Sequence, residues 1–97
     1  MAFIRTKRVD GKEYHQLVRN ERVDGKHRQR VLMHLGIYAT VEDAIKGWLV
    51  RVEKLRAEAD DERERFRGYR TPKVRKLEAE AANLEEKAEQ LRSLSGD

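Results

Sequence analysis

The sequence predicts an α+β fold in which a three-stranded antiparallel β-meander packs on a helix and is followed by a C-terminal coiled-coil helix. A repeated turn motif, a helix-spaced apolar pattern and a heptad pattern support this prediction. The chain has 97 residues, of which 38% are hydrophobic and 41% charged, so one small domain with a thin core is expected. We expect a sheet-plus-helix module over residues 1–58 and a helical extension over residues 59–97.

The meander is predicted from a repeat. The segment Arg-Val-Asp-Gly-Lys occupies residues 8–12 and recurs at residues 22–26. Asp-Gly between β-prone runs predicts a two-residue turn, because a type I′ turn requires positive φ at both central positions. The expected strands are Phe3–Val9, Lys12–Val23 and Lys26–Leu35.

Two-residue turns would place Val9 opposite Lys12 and Val23 opposite Lys26. A three-residue bulged turn is the alternative, but it slips each pairing by one residue and mixes apolar with basic side chains. In the preferred register, one face is mostly apolar and carries Phe3, Tyr14, Gln16, Val18, Val31, Met33 and Leu35. The other face carries Thr6, Arg8, His15, Arg19, Arg28, Arg30 and His34, with Ile4, Leu17 and Leu32 as an apolar stripe.

A first helix is predicted after the sheet. Thr40 is a suitable N-cap, and Asp43 stands at the third helical position, which together make a partial capping box. Apolar residues then follow at helical spacing, and Trp48 is expected to anchor the helix on the apolar sheet face. The helix is expected to reach Arg67, and Gly68 to end it.

A second helix is predicted to begin at Thr71-Pro72, with Thr as N-cap and Pro at the first helical position. Its heptad stripe consists of Val74, Leu77, Ala81, Leu84, Ala88 and Leu91. The stripe can fold back on the first helix or pair with a second copy of the chain. We slightly favour self-association and a homodimer, and we expect residues 93–97 to be a frayed tail.

The charge distribution indicates a polyanion-binding end. Residues 1–41 contain nine Lys or Arg and four acids, whereas the chain as a whole has a net charge of +4. A three-stranded sheet can enter the major groove, where arginine recognises guanine with its planar fork. The predicted DNA contacts are Thr6, Arg8, Lys12, His15, Arg19, Lys26, Arg28, Arg30 and His34. The alternative interpretation is an ordinary solvated sheet face.

A second basic run covers residues 63–76. Arg67, Arg70 and Lys73 are the candidates for a second contact with nucleic acid. The competing interpretation is that positive charge at a helix end offsets the helix dipole.

Several function classes are not expected. The chain has no cysteine, so thiolate metal sites and disulfides are excluded. His15 and His34 would lie opposite one another, but no third metal ligand accompanies them. No nucleophile–base pair or phosphate loop is present, so we expect no enzyme activity, no cofactor and no bound metal. No apolar run is long enough to span a membrane, and a cytoplasmic, nucleoid-associated protein is expected.

Two stretches resemble the N-terminal region of insertion-sequence transposases: Tyr14-His15-Gln16-Leu17-Val18, and the segment Gly-Lys-His-Arg-Gln-Arg-Val-Leu-Met-His-Leu-Gly at residues 25–36. The order of sheet and helix is also loosely similar to the arm-site-binding domain of tyrosine integrases and to the plant ethylene-response DNA-binding domain. This resemblance implies DNA contact by Arg28, Arg30 and the strand around Arg19. No catalytic domain follows in this sequence, so transposase activity is not expected from it.

The sequence therefore favours a small double-stranded DNA-binding protein, a regulator or accessory factor of a mobile element, phage or plasmid. The alternative is an adaptor that binds another protein through its coiled coil and does not bind nucleic acid. A basic sheet does not by itself distinguish DNA from RNA, so RNA stays an open partner.

Overall fold

The computed structural model describes residues 2–95, which form three strands followed by two helices. The sheet is antiparallel with the strand order β1-β2-β3, so the predicted α+β arrangement is confirmed. The elements are β1 (Ala2–Val9), β2 (Lys12–Val23), β3 (Lys26–Gly36), α1 (Val41–Arg65) and α2 (Pro72–Ser95). The prediction of a frayed tail from residue 93 is wrong for residues 93–95, which belong to α2. Residues 96–97 lie outside the described residues.

Both hairpins turn on two residues, as predicted. Asp10 and Gly11 have φ values of 51° and 78°, and Asp24 and Gly25 have 52° and 77°. Positive φ at both central positions defines a type I′ turn, whose twist matches that of the flanking strands. Val9 accordingly pairs with Lys12.

The predicted register between β2 and β3 holds from the turn as far as Val18, which pairs with Val31. Beyond this point two bulges each add one residue to β3, so that Leu17 pairs with Met33 and His15 with Gly36. The predicted pairing of His15 with His34 is therefore wrong.

The bulges also change which side chains share a face. Met33 lies on the face of Leu17, not on that of Phe3, and His34 lies on the face of Gln16. Both predicted positions are wrong for the same reason, because each residue added to a strand moves the following side chains to the opposite side.

The chain forms two compact units. One comprises residues 2–45 with 91–95, and it contains the sheet, the start of α1 and the end of α2. The other comprises residues 46–90, in which the two helices form a hairpin. α1 continues without a break through residue 58, where the sequence analysis placed a boundary.

The helical hairpin has a small apolar core of its own. Residues from α1 and α2 pack together in it, and Leu84 lies partly buried against them. The core consists of Val52, Leu55, Ala59, Val74, Leu77 and Ala81. The α2 stripe thus folds back on α1 within the chain, which is the first of the two arrangements that the sequence allows, and homodimerisation stays a prediction. Alanine on both helices permits the close approach of their backbones.

Side chains and backbone cap the helices as the sequence indicates. The Asp43 amide donates to Thr40 Oγ1 at 3.1 Å, and the Val74 amide donates to Thr71 Oγ1 at 3.2 Å. α1 ends two residues before the predicted Arg67, in a Schellman motif in which the Gly68 amide donates to the Arg63 carbonyl at 2.7 Å.

We predict that Gly25→Ala lowers the free energy of unfolding by about 1–2 kcal/mol, because alanine at positive φ brings Cβ close to the following carbonyl oxygen. A Cβ at this position meets no atom within 4 Å, so the loss is purely conformational. Urea unfolding measures it. Gly25→Asn is the matched control and loses less, because asparagine tolerates this conformation. Equal losses for both variants would contradict the turn assignment.

Candidate nucleic-acid interface

The register divides the sheet into two faces, since cross-strand partners share a face and successive residues alternate. The face that we name the Phe3 face carries Phe3, Arg5, Lys7, Val9, Lys12, Tyr14, Gln16, Val18, Asn20, Arg22, His27, Gln29, Val31 and His34. The face that we name the Leu17 face carries Ala2, Ile4, Thr6, Arg8, Glu13, His15, Leu17, Arg19, Glu21, Val23, Lys26, Arg28, Arg30 and Met33.

The helix ends lie over the Leu17 face. A cavity lies between residues 40–42 at the start of α1, Leu94 near the end of α2 and one end of the sheet. Four of its sheet residues belong to the Leu17 face and one, Phe3, to the other face; the four are Ala2, Ile4, Leu17 and Arg19. Leu17 is 3% exposed, whereas Phe3 on the opposite face is 38% exposed. The prediction that α1 covers the Phe3 face is therefore wrong, and the apolar stripe of the Leu17 face is the surface that the helix ends bury.

Polar side chains of the Leu17 face are largely paired with one another. Arg8 Nη2 lies 3.3 Å from Glu13 Oε1, and Arg30 Nη1 lies 3.4 Å from Glu21 Oε1. Thr6 Oγ1 and His15 Nδ1 are hydrogen-bonded at 2.9 Å, and His15 is buried. The acids on this face thus neutralise part of its positive charge.

The structure distributes the predicted DNA contacts unequally between the two faces. Lys12 and His34 lie on the Phe3 face. Seven lie on the Leu17 face, namely Thr6, Arg8, His15, Arg19, Lys26, Arg28 and Arg30. Their contact with DNA stays a prediction, although burial leaves His15 little surface for it.

A hydrogen-bond network crosses the centre of the Phe3 face. Arg5 Nη2 donates to Gln16 Oε1 at 2.6 Å, and Arg5 Nη1 donates to Gln29 Oε1 at 2.7 Å. The Gln16 amide donates to His34 Nδ1 at 3.1 Å. Arg5 and Gln29 belong to the outer strands, so the bond between them passes over β2 at Val18, which is 0% exposed.

The Phe3 face is cationic and open to solvent. Arg5, Lys7, Lys12 and Arg22 lie on it, and the strands contribute no carboxylate to it within the described residues. Tyr14 is 38% exposed. Sequence reasoning missed Arg5, Lys7 and Arg22, although a signal was present: the alternate positions 3–9 and 12–22 contain no acid.

The second basic run makes ion pairs within the helical hairpin. Arg63 and Arg70 both donate to Glu78, the latter from Nη2 to Oε2 at 2.6 Å. Lys73 Nζ lies 3.8 Å from Glu62 Oε2. These pairs support a structural role for Arg70 and Lys73, and Arg67 is exposed beyond the end of α1.

The described part of the chain offers few other sites. Among residues 2–95, no three His, Cys, Asp or Glu side chains are grouped so that they would hold a metal ion. Neither described helix combines the length and the apolar character that crossing a membrane requires.

The comparison with protein families gives a match over nearly the whole chain. Residues 3–94 match the model of the family described as IS1634 family transposase, N-terminal domain. The match takes in nearly all of β1, the whole of β2, β3 and α1, and almost all of α2, and it confirms the resemblance to insertion-sequence transposases. Neither a curated protein nor a solved structure matches the chain.

We predict that Glu78 makes the stability of the helical hairpin pH-dependent. The hydrogen bond from Arg70 lowers the pKa of the Glu78 carboxyl below its usual value of 4.5, and the charge of Arg63 adds to this effect. A lowered folded-state pKa stabilises the protein above the unfolded-state pKa, and this stabilisation is lost as pH falls through the folded-state value.

The thermal midpoint of Glu78→Gln should therefore be lower than that of the unmodified protein at pH 7, and the difference should shrink as pH falls below 4.5. Calorimetry at low salt measures both, since salt screens exposed pairs. Glu80→Gln is the matched control on the same helix, since it removes a carboxylate that lies at the longer distance of 3.7 Å from Arg51. A difference for Glu78→Gln that does not change with pH would contradict this origin.

Proposed function

We propose that the chain binds double-stranded DNA of a mobile element through its three-stranded sheet. The proposal starts from the family match, which shows that the chain belongs to the family of IS1634 transposase N-terminal domains. The observation that supports this proposal most strongly is the Phe3 face, which is open and carries Arg5, Lys7, Lys12 and Arg22 without a carboxylate. A polyanion meets no like charge from the strands on such a surface. A chain with this activity would be associated with the nucleoid.

The major groove of DNA admits β-strands as well as a helix, so an exposed sheet face can enter it. Side chains in the middle of the face then approach the base edges, and cations at its borders approach phosphates. Lys12 and Lys26 directly follow the two turns, where contact with the DNA backbone is natural. Lys7 and Arg22 are exposed on the Phe3 face and take the same role.

The predicted contacts on the Leu17 face have a weaker basis. Arg8 and Arg30 are engaged by Glu13 and Glu21, so DNA binding would have to compete with these pairs. Arg28 follows the second turn on the same face, and we propose that it contacts the DNA backbone at the border of the interface.

The sequence analysis also slightly favoured a homodimer. The core of the helical hairpin already contains Val74, Leu77 and Ala81 of α2, and a stripe packed within the chain offers no seam to a second copy. We therefore propose that the 97-residue chain binds DNA as a monomer.

We predict that the double variant Lys7→Ala/Arg22→Ala weakens duplex binding. Its affinity should also fall less steeply with salt: the negative slope of log affinity against log salt should shrink in magnitude by about two, because each lost phosphate contact removes about one unit. Fluorescence anisotropy with duplex DNA at several salt concentrations measures this. The matched control is Arg8→Ala/Arg30→Ala, which removes the same charge from the Leu17 face and should change the slope little.

If Arg8→Ala/Arg30→Ala reduced the salt dependence and Lys7→Ala/Arg22→Ala did not, the interface would lie on the Leu17 face, as predicted from the sequence. The same titrations with RNA and with single-stranded DNA test whether the protein prefers duplex DNA. Tighter binding to either of them would contradict the proposal that it binds duplex DNA. Absence of all nucleic-acid binding would favour the adaptor alternative.

We predict that the chain has the mass of a monomer in solution, because its α2 stripe is occupied by α1. Light scattering coupled to gel filtration measures the mass across a range of protein concentrations. Leu77→Ala is an informative companion: loss of a buried leucine in the hairpin costs about 2–5 kcal/mol of unfolding free energy and leaves a monomer. A dimer that Leu77→Ala dissociates would instead restore the pairing predicted from sequence.

A further inference from the structure

We infer that Arg5 recognises a guanine base in the DNA major groove and that Gln16 and Gln29 hold its guanidinium in position for that contact. The inference rests on the proposed function and extends it from binding of duplex DNA to selection of a sequence. Neither the family match nor the charge of the sheet assigns this role to a residue.

The position of Arg5 is the first argument. Its side chain reaches from β1 across β2 to Gln29 on β3, so its guanidinium lies over the middle of the Phe3 face. Arg5 is partly buried, whereas Lys7 and Arg22 on the same face are exposed. A cation in the middle of a sheet that enters the groove approaches base edges, and cations at the borders approach phosphates.

The orientation of the guanidinium is the second argument. One nitrogen donates to Gln16 at 2.6 Å and the other to Gln29 at 2.7 Å. Two bonds to two different strands hold the planar group against rotation, which reduces the entropy lost when it binds a partner. The acceptors are neutral amides and not carboxylates, so the positive charge of Arg5 is retained.

The remaining hydrogen-bonding capacity is the third argument. A guanidinium has more N–H donors than the two used here, and it has no acceptor. Guanine presents two acceptors, O6 and N7, at its major-groove edge, and an arginine fork binds both. Both glutamines also retain amide N–H donors beyond those that the network uses, and these suit acceptors on a neighbouring base pair.

The network extends to His34, whose Nδ1 accepts from the Gln16 amide. This bond fixes which end of Gln16 faces Arg5, because the amide nitrogen is directed to His34 and the oxygen is left to accept from Arg5. Three strands thus contribute to the placement of one guanidinium. The competing explanation is that the network serves only to cover Val18.

The test uses the full 97-residue chain and a randomised duplex library. Sequences selected by the unmodified protein identify the base pairs that it prefers. Arg5→Lys keeps the charge but loses the fork, and it should lower discrimination at one G·C position by about tenfold or more, the effect of one bidentate base contact. Its affinity for an unselected duplex should fall less than about threefold, because the phosphate contacts are intact.

Two further variants make the result specific. Arg8→Lys is the matched control on the Leu17 face and should leave every base preference unchanged. Gln29→Ala removes one of the two bonds that hold Arg5, and it should weaken discrimination at the same G·C position as Arg5→Lys. A thermal midpoint within a few degrees of the unmodified protein shows that each variant folds.

The outcomes separate the inference from the proposed function. Loss of preference at one G·C position in both Arg5→Lys and Gln29→Ala supports the inference. Duplex binding in which Arg5→Lys keeps all base preferences, or in which the unmodified protein has none, overturns the inference and leaves the proposed function standing. Failure of the unmodified protein to bind any duplex overturns the proposed function itself.

Discussion

The conformation of four turn residues determines which side chains share a face of the sheet. Asp10, Gly11, Asp24 and Gly25 all have positive φ, and this fixes two-residue turns and therefore the pairing of three strands. If β2 were shifted by one residue relative to β1 and β3, its side chains would exchange faces, and Glu13 and Glu21 would lie among the cations of the Phe3 face. The segregation of charge thus depends on the backbone at two points.

The sequence was sufficient for local features and insufficient for the bulges. Asp-Gly turns and Thr N-caps act over a few residues, so Thr40 and Thr71 could be assigned without tertiary information. The bulges occur in the apolar run around Met33, where either register presents an apolar side chain to each face. The pattern of apolar residues therefore does not distinguish the two registers at Met33, and the predicted faces of Met33 and His34 were wrong.

The covered face and the partner of α2 depended on interactions distant in sequence. Leu17 and Val18 are adjacent and both buried, but the helix ends lie over Leu17, whereas the Arg5–Gln29 hydrogen bond crosses β2 at Val18. Likewise, the heptad stripe of α2 could pack against a second copy of the chain as well as against α1, because both arrangements need the same apolar spacing. The choice follows from the short turn after Gly68, which brings α1 and α2 together at high local concentration.

The polar cover over Val18 explains how this sheet face can be stable alone and still available to a partner. A helix over the same valine would block the groove of DNA, whereas a hydrogen bond between Arg5 and Gln29 excludes water without adding a layer. The bonds to Gln29 and Gln16 use only two of the N–H donors of the guanidinium, so both bonds can stay in place while the remaining donors face a base edge. The guanidinium that helps to cover Val18 in the free protein thereby still has donors to offer to DNA.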